Sequence, residues 1–331
     1  MGVSQSSEKL PAFEPRPWLR GGHVQTLASF LLKRRFNLPA PEERLIEVEP
    51  GIQVLCHCHW QPDRTRPLTV IVVHGLEGSS DSQYMMGVAE KALAAGMNVI
   101  RYNQRNCGGT DALAPVLYHS GLSNDVAVVA RELIERDRIS QLALVGFSMG
   151  GNLVLKLAGE WGTQGPPQFR AVAACCPAMD LAASADALHD PANRIYELYF
   201  LFNLRRRMIR KARLFPGYFD VGRMRGMRSL RDFDHRITAY YCGFSGADDY
   251  YRRAAAANVI EHIAVPALIL HAANDPFIRI TTETRRKIAA NPKITFVETE
   301  DGGHCSFVGR RNGDDDGYWA ENQIVNFLRK F

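Results

Sequence analysis

Apolar positions recur along this chain in two rhythms. Residues Arg44 to Glu49 and Ile52 to Trp60 alternate polar and apolar, the period of a half-buried strand, and Pro50-Gly51 between them predicts an antiparallel pair. Thr69 to Val73, Met97 to Tyr102, Gln141 to Val145, Ala171 to Cys176 and Val265 to His271 are short apolar runs suited to strands covered on both faces. Ile294 to Glu298 completes that set. Between the runs the period lengthens to that of a helix. Tyr84 to Ala95 is closed by Gly96, and Asn124 to Arg136 carries Val126, Val129, Leu133 and Ile134 on one side. Asn152 to Ala158 and Tyr318 to Leu328 read the same way, the latter with Trp319, Ile324, Phe327 and Leu328 at core spacing.

Strand and helix in this alternation predict an α/β fold, a mostly parallel central sheet with helices on both faces. The stretch 179–262 breaks the rhythm. It is helical, basic and aromatic without an evident strand, and reads as a helical cap inserted into a core of residues 44–178 and 263–331. Residues 1–43, with Pro11, Pro15, Pro17, Pro39 and Pro41, read as an N-terminal extension packed on the outside. A chain of 331 residues that is 46% hydrophobic can bury a large core. No apolar stretch approaches the roughly 20 residues that span a bilayer; Leu27 to Leu32 is closed off by Lys33-Arg34-Arg35.

The run Gly146-Phe147-Ser148-Met149-Gly150 sits between a predicted strand and a predicted helix. That context describes a nucleophile elbow, a tight turn that pushes the serine hydroxyl out at the carboxyl end of a sheet. Glycines two residues to either side leave room where a β-carbon would crowd the turn. A serine hydroxyl needs a base, and the base needs a group to orient it. Among ten histidines, His304 is best placed, in the loop Asp301-Gly302-Gly303-His304 after the last strand. Asp275, in Ala273-Asn274-Asp275-Pro276 after the preceding strand, supplies the acid in the chain order Ser148, Asp275, His304. Asp248 and Asp249 follow no strand and read as first-turn acids at a helix start, as do Asp314, Asp315 and Asp316 before the last helix.

A tetrahedral intermediate needs donors aimed at its oxyanion. The loop Val72-Val73-His74-Gly75-Leu76-Glu77-Gly78 ends the first long strand, so the backbone N–H groups of Leu76 and Met149 are the candidates. The His74 ring is expected to brace that loop, and Glu77 to point away, since an anion there would oppose the developing charge.

Charge and cysteine usage narrow the picture further. The net charge is +5, yet Arg194 to Arg231 alone carries eleven Lys/Arg against Glu197 and Asp220. Within it, Arg205 to Arg213 reads as a solvated helix face, with weak contact to anionic lipid as the alternative. No stacking aromatics interleave the basic run, which argues against nucleic acid. Tyr196, Tyr199, Phe200, Phe202, Phe215, Tyr218 and Phe219 are read chiefly as packing between cap helices. In Cys56-His57-Cys58-His59 a strand sends cysteines to one face and histidines to the other, so four ligands cannot converge. The same objection is applied to Cys175-Cys176. An odd count of seven cysteines, with no secretory signal in view, leads to an expectation of a reduced, cytoplasmic setting. Met1-Gly2-Val3-Ser4-Gln5-Ser6 matches a myristoylation pattern, against which stands the reading of a flexible polar tail.

Taken with Gly22-His23-Val24-Gln25-Thr26, Arg105-Asn106-Cys107-Gly108-Gly109, Tyr118-His119-Ser120-Gly121 and Phe233-Asp234-His235-Arg236-Ile237-Thr238, the chain resembles the α/β-hydrolase superfamily. Ala247-Asp248-Asp249-Tyr250-Tyr251 and Asn274-Asp275-Pro276-Phe277 extend the match. Within that superfamily it is similar to the YheT-like esterases, which are related to eukaryotic α/β-hydrolase-domain lipases and yeast ethyl-ester synthases. The resemblance implies carboxylester hydrolysis with Ser148, Asp275 and His304 as the triad. It does not carry over the N-terminal membrane helix of the eukaryotic relatives. The expected activity is a serine carboxylesterase acting on short- to medium-chain esters, glycerides and lipid fragments among them, without metal or organic cofactor and without a stable protein partner. The alternatives are transfer of the same acyl group to an alcohol and a non-catalytic binding module on the same fold.

Overall fold

A computed structural model of the chain describes residues 11–311, 313 and 315–331. The pattern Met1 to Ser6 and Asp314 lie outside these. Among the described residues, eight strands form one sheet in the order β1-β2-β4-β3-β5-β6-β7-β8. They are β1 (Glu42–Glu49), β2 (Ile52–His59), β3 (Thr69–Val73), β4 (Asn98–Tyr102), β5 (Leu142–Phe147), β6 (Phe169–Cys175), β7 (Ala267–Ala272) and β8 (Ile294–Thr299). Only β2 runs against its neighbours; β4, β3, β5, β6, β7 and β8 are mutually parallel. The hairpin forms at Pro50-Gly51, where Gly51 has the positive φ of 73° that a side chain disfavours.

The central strands β3, β4, β5 and β7 are buried along their whole length, because helices cover both faces. On one face α2 (Gln83–Ala94) and α11 (Trp319–Leu328) pack Met85, Val88, Ile324 and Leu328 against Val70, Val72, Val145 and Leu268. On the other, α3 (Ser123–Arg136) and α4 (Met149–Trp161) enclose Leu133, Leu153 and Leu157 with Ile71, Val73, Leu144 and Ile269. Helix α10 (Thr282–Ala290) adds Ile288 to the same core.

Between β6 and β7 every regular element is helical. These are α5 (Leu181–Leu188), α6 (Arg194–Leu214), α7 (Leu230–Phe233), a π-turn over Asp234–Thr238, α8 (Ala239–Cys242) and α9 (Ala247–Ala254), with short 3₁₀ turns between them. Asp248 and Asp249 occupy the first turn of α9, where Asp249 accepts the Ser245 N–H at 3.2 Å. Among the described residues no helix is long and apolar enough to cross a membrane.

Three expectations are corrected. The N-terminal extension is not a mere outer layer. Its helix α1 (Gly22–Leu31) buries Gln25 and Thr26 against the loop that carries His304. The basic run of α6 is not uniformly solvated, because Arg207 and Lys211 are buried. Lys211 donates to Asn106 Oδ1 at 2.9 Å and to the carbonyls of Asp111 and Ala114. Burial pulls its amine down to about 8. Finally, Cys175 and Cys176 do not diverge. Strand β6 ends at Cys175, and Cys176 turns to φ 43°, so both thiols lie within 4.8 Å of each other and of Cys305.

Candidate active site

Parallel strands deliver their carboxyl ends to one edge, and the loops after β3, β5, β7 and β8 meet there. Ser148 follows β5 with φ 54° and ψ −118°, a sparsely populated conformation for a side-chain-bearing residue. The flanking glycines relieve crowding: a β-carbon on Gly146 would overlap the Gly150 carbonyl, and one on Gly150 would overlap that of Val73. The Ser148 N–H is held by Cys175 O at 2.9 Å, and its carbonyl accepts from Asn152 at 3.1 Å.

The His304 Nε2 lies 2.9 Å from Ser148 Oγ, and its Nδ1 lies 2.8 Å from Asp275 Oδ2. Asp275 Oδ1 accepts the N–H groups of Phe277 and Ile278 at 3.1 and 2.9 Å. The three residues predicted from chain order are therefore brought into one hydrogen-bonded series. Burial opposes the Asp275 charge, but His304 and the Ile278 amide outweigh it and hold the carboxyl below its ordinary value. Burial likewise pulls the His304 imidazole down, and the Asp275 carboxylate more than offsets it, raising the pKa. The ring of Phe277 covers His304 at 4.4 Å between centroids.

The two loops are tied together before they reach the serine. Asn274 Nδ2 donates to Asp301 Oδ1 at 2.8 Å, and Gly303 N–H returns to Asn274 Oδ1 at 3.1 Å. Helix α1 closes over this junction. Gly303, with φ 58°, approaches the backbone of Gly22 and Thr26 too closely for any β-carbon. Gln25 spans Leu19 O, Val308 O and Val308 N–H with its amide. Nothing in the periodicity of residues 1–43 signals these contacts.

After β3 the loop carries Leu76, which lines the same chamber as Ser148 and Met149. Met149 opens α4, so its N–H is one of the first-turn donors a helix cannot satisfy itself. The loop is braced on both sides. Tyr84 Oη accepts the Gly75 N–H at 3.0 Å, and Tyr118 Oη accepts that of Glu77 at 3.0 Å. His74 accepts the Gln104 N–H at 3.1 Å through Nε2 and meets the Gly75 carbonyl at 2.8 Å through Nδ1. Complete burial lowers its pKa to about 4, so the ring is a neutral brace. The Glu77 carboxylate is neutralised: Arg207 Nε pairs with it at 2.8 Å, and Tyr118 Oη donates at 2.6 Å.

The chamber extends from Ser148 between the sheet edge and the helices that follow β6, walled by Leu117, Leu204, Met208, Leu230 and Phe233. At its wall Asp234 accepts from Tyr251 Oη at 2.7 Å and from Thr238 Oγ1 at 2.8 Å. Cys305 stands beside His304, its Sγ 3.9 Å from Nε2, and burial raises its thiol pKa. The residues of Cys56-His57-Cys58-His59 divide as expected: both cysteines enter the core, while His57 and His59 meet Ser80 and Arg101 on the opposite face.

A model of the α/β-hydrolase fold matches residues 69–310. The chain belongs to this family. Among curated relatives, it is 29% identical over 321 residues to the "Putative esterase YheT" of Escherichia coli (strain K12), covering 96% of this chain and 93% of that protein. It is 28% identical over 254 residues to the phospholipase ABHD3 of Bos taurus; that match covers 76% of this chain and 60% of the longer relative. The esterase Pf2001 of Pyrococcus furiosus shares the fold at a TM-score of 0.56 and 14% identity, over 90% of this chain and 99% of that one. The YheT-like members of the α/β-hydrolase family are thus its relatives.

Proposed function

We propose that the chain is a serine carboxylesterase that hydrolyses short- to medium-chain carboxylic esters through an acyl-enzyme on Ser148. The observation that carries this reading is the series Asp275–His304–Ser148, with links of 2.8 and 2.9 Å, opening on an apolar chamber. As Ser148 Oγ attacks the ester carbonyl, His304 Nε2 takes its proton. Asp275 holds the Nδ1–H tautomer and stabilises the imidazolium that forms. The backbone N–H groups of Leu76 and Met149 donate to the oxyanion. Collapse of the intermediate expels the alcohol, which takes the proton from His304. Water then adds to the acyl carbonyl, giving a proton to His304, and the acid leaves as Ser148 Oγ recovers its hydrogen. Every proton moves between protein groups, substrate and water.

Residues 179–262 act in this reading as a cap whose Leu204, Met208 and Phe233 receive the acyl chain. The names of the esterase and phospholipase relatives agree with the reaction class. All seven cysteines stand as free thiols, which suits the cytoplasm. The test is hydrolysis of p-nitrophenyl esters from acetate to palmitate, with the Ser148→Ala protein as blank. A Ser148-dependent maximum at short or medium chains is expected; turnover equal to the blank at every length overturns the reading.

A further inference from the structure

Two neighbouring helices expose the wrong side for a protein that meets only water. In α1, Val24, Leu27, Phe30 and Leu31 share one face, and Phe30 and Leu31 are 61% and 75% exposed. In α6, Ile195, Leu198, Tyr199 and Phe202 form a second outward stripe, with Leu198 52% and Phe202 58% exposed. At 3.6 residues per turn each stripe stays within about 120° of arc. The stripes meet where the rings of Phe30 and Tyr199 stand 6.1 Å apart. Contiguous exposed apolar surface of this kind marks an interaction site.

The exposed charges on α6 and on the turn after α1 are all basic, while Asp81 is an exposed acid on the cleft side of the patch. Helix α6 continues its outward face with Arg206, Arg210 and Arg213, and exposed Lys33 and Arg35 follow α1. Arg210 pairs with Asp111 at 3.0 Å, but among the described residues Lys33, Arg35, Arg206 and Arg213 have no carboxylate partner. Helix α1 contains no acidic residue, and the single one in α6, Glu197, is fully buried. Phe30 and Tyr199 also line the cleft that leads inward to Leu76, Ser148 and His304.

From this arrangement we infer that the α1–α6 face docks on an anionic lipid surface, from which an ester enters the cleft toward Ser148. The acyl layer would accept the apolar side chains while headgroup phosphates meet the guanidinium and ammonium groups. An anionic surface supplies both complements at once, and it presents the substrate at the rim of the cleft. The direction of entry rests on the esterase reading; the docking itself does not.

The experiment is sedimentation of the full chain, carrying Ser148→Ala, with vesicles of phosphatidylcholine alone or of phosphatidylcholine mixed with phosphatidylglycerol. Binding is expected with the mixed vesicles, weakening as salt rises. Replacing both Arg206 and Arg213 by glutamine should reduce partitioning by roughly fivefold for each cation removed. The pair Leu31→Ser and Leu198→Ser should abolish it. In a Ser148 background these four changes should leave hydrolysis of soluble p-nitrophenyl acetate unchanged. Equal partitioning on neutral and anionic vesicles, none on either, or partitioning indifferent to the variants overturns the inference. A doubled mass in light scattering that the Leu31→Ser/Leu198→Ser pair abolishes assigns the face to a second copy instead, and also overturns it. Because binding is read on the Ser148→Ala protein, failure of the esterase reading leaves this test intact.

Discussion

Thr26 Oγ1 accepts the backbone N–H of His304 at 2.8 Å, joining residues 278 positions apart. The same hydroxyl donates to Gly22 O within α1, so the helix and the His304 loop share one hydrogen-bonded link. Thr26→Val keeps the shape and removes the acceptor, leaving a buried amide unpaired at about 1–3 kcal/mol. A proportional loss of stability is expected in urea unfolding. If α1 positions the base, kcat for p-nitrophenyl acetate should also fall about tenfold with little change in KM.

The environment of His304 sets a pH dependence. Asp275 raises its pKa above the ordinary 6.5, and in the proposed reaction His304 can take a proton only when neutral. Activity should therefore fall on the acid side through a limb lying above pH 6.5. Asp275→Asn removes the carboxylate charge that raises the pKa, while burial still lowers it. The limb in kcat/KM should move to lower pH while kcat drops by about 10⁴. An unmoved limb would show that another group controls it.

Arg207 links the helices after β6 to the loop after β3 through its pair with Glu77. Burial opposes its charge, but its partners hold the pKa above the ordinary value. Arg207→Met leaves the buried Glu77 carboxylate without its cation and should cost about 3–5 kcal/mol. Combining it with Glu77→Gln should recover part of that loss. A double-mutant cycle by thermal unfolding is expected to give at least ~1 kcal/mol of coupling.

Asp234 should give stability of the opposite sign to that of a paired surface acid. Burial raises its pKa from 3.8 to about 6, so the native state holds the proton more tightly than the unfolded chain. Its contribution improves as pH falls from about 6 to 3.8, by about 3 kcal/mol in total. Comparing wild type with Asp234→Asn in urea at several pH values isolates the effect. A difference constant across that window excludes it.

Much of the site is legible because strand ends are local features. Apolar runs mark β5, β7 and β8, and Ser148, Asp275 and His304 each follow one of them. The supports are not legible. Tyr84 belongs to an ordinary amphipathic helix, yet its hydroxyl holds Gly75. Asn152 reads as one polar position in α4, yet it bonds Ser120 O, Ala254 O and the Ala256 N–H. Such roles depend on partners far away in sequence, and no periodicity encodes them. The Cys175-Cys176 geometry eluded the strand rule because that rule ends with the strand.

By itself the sequence determined the parallel sheet, the elbow at Ser148 and the chain order of the three side chains, since each follows from short-range patterning and turn chemistry. Tertiary structure alone decided that Thr26 holds the His304 loop and that Arg207 is a buried ion rather than a solvated one. It also decided that Phe30 and Tyr199 face outward together at the mouth of the cleft. Burial and pairing are properties of neighbours in space, and a chain read in order does not contain them.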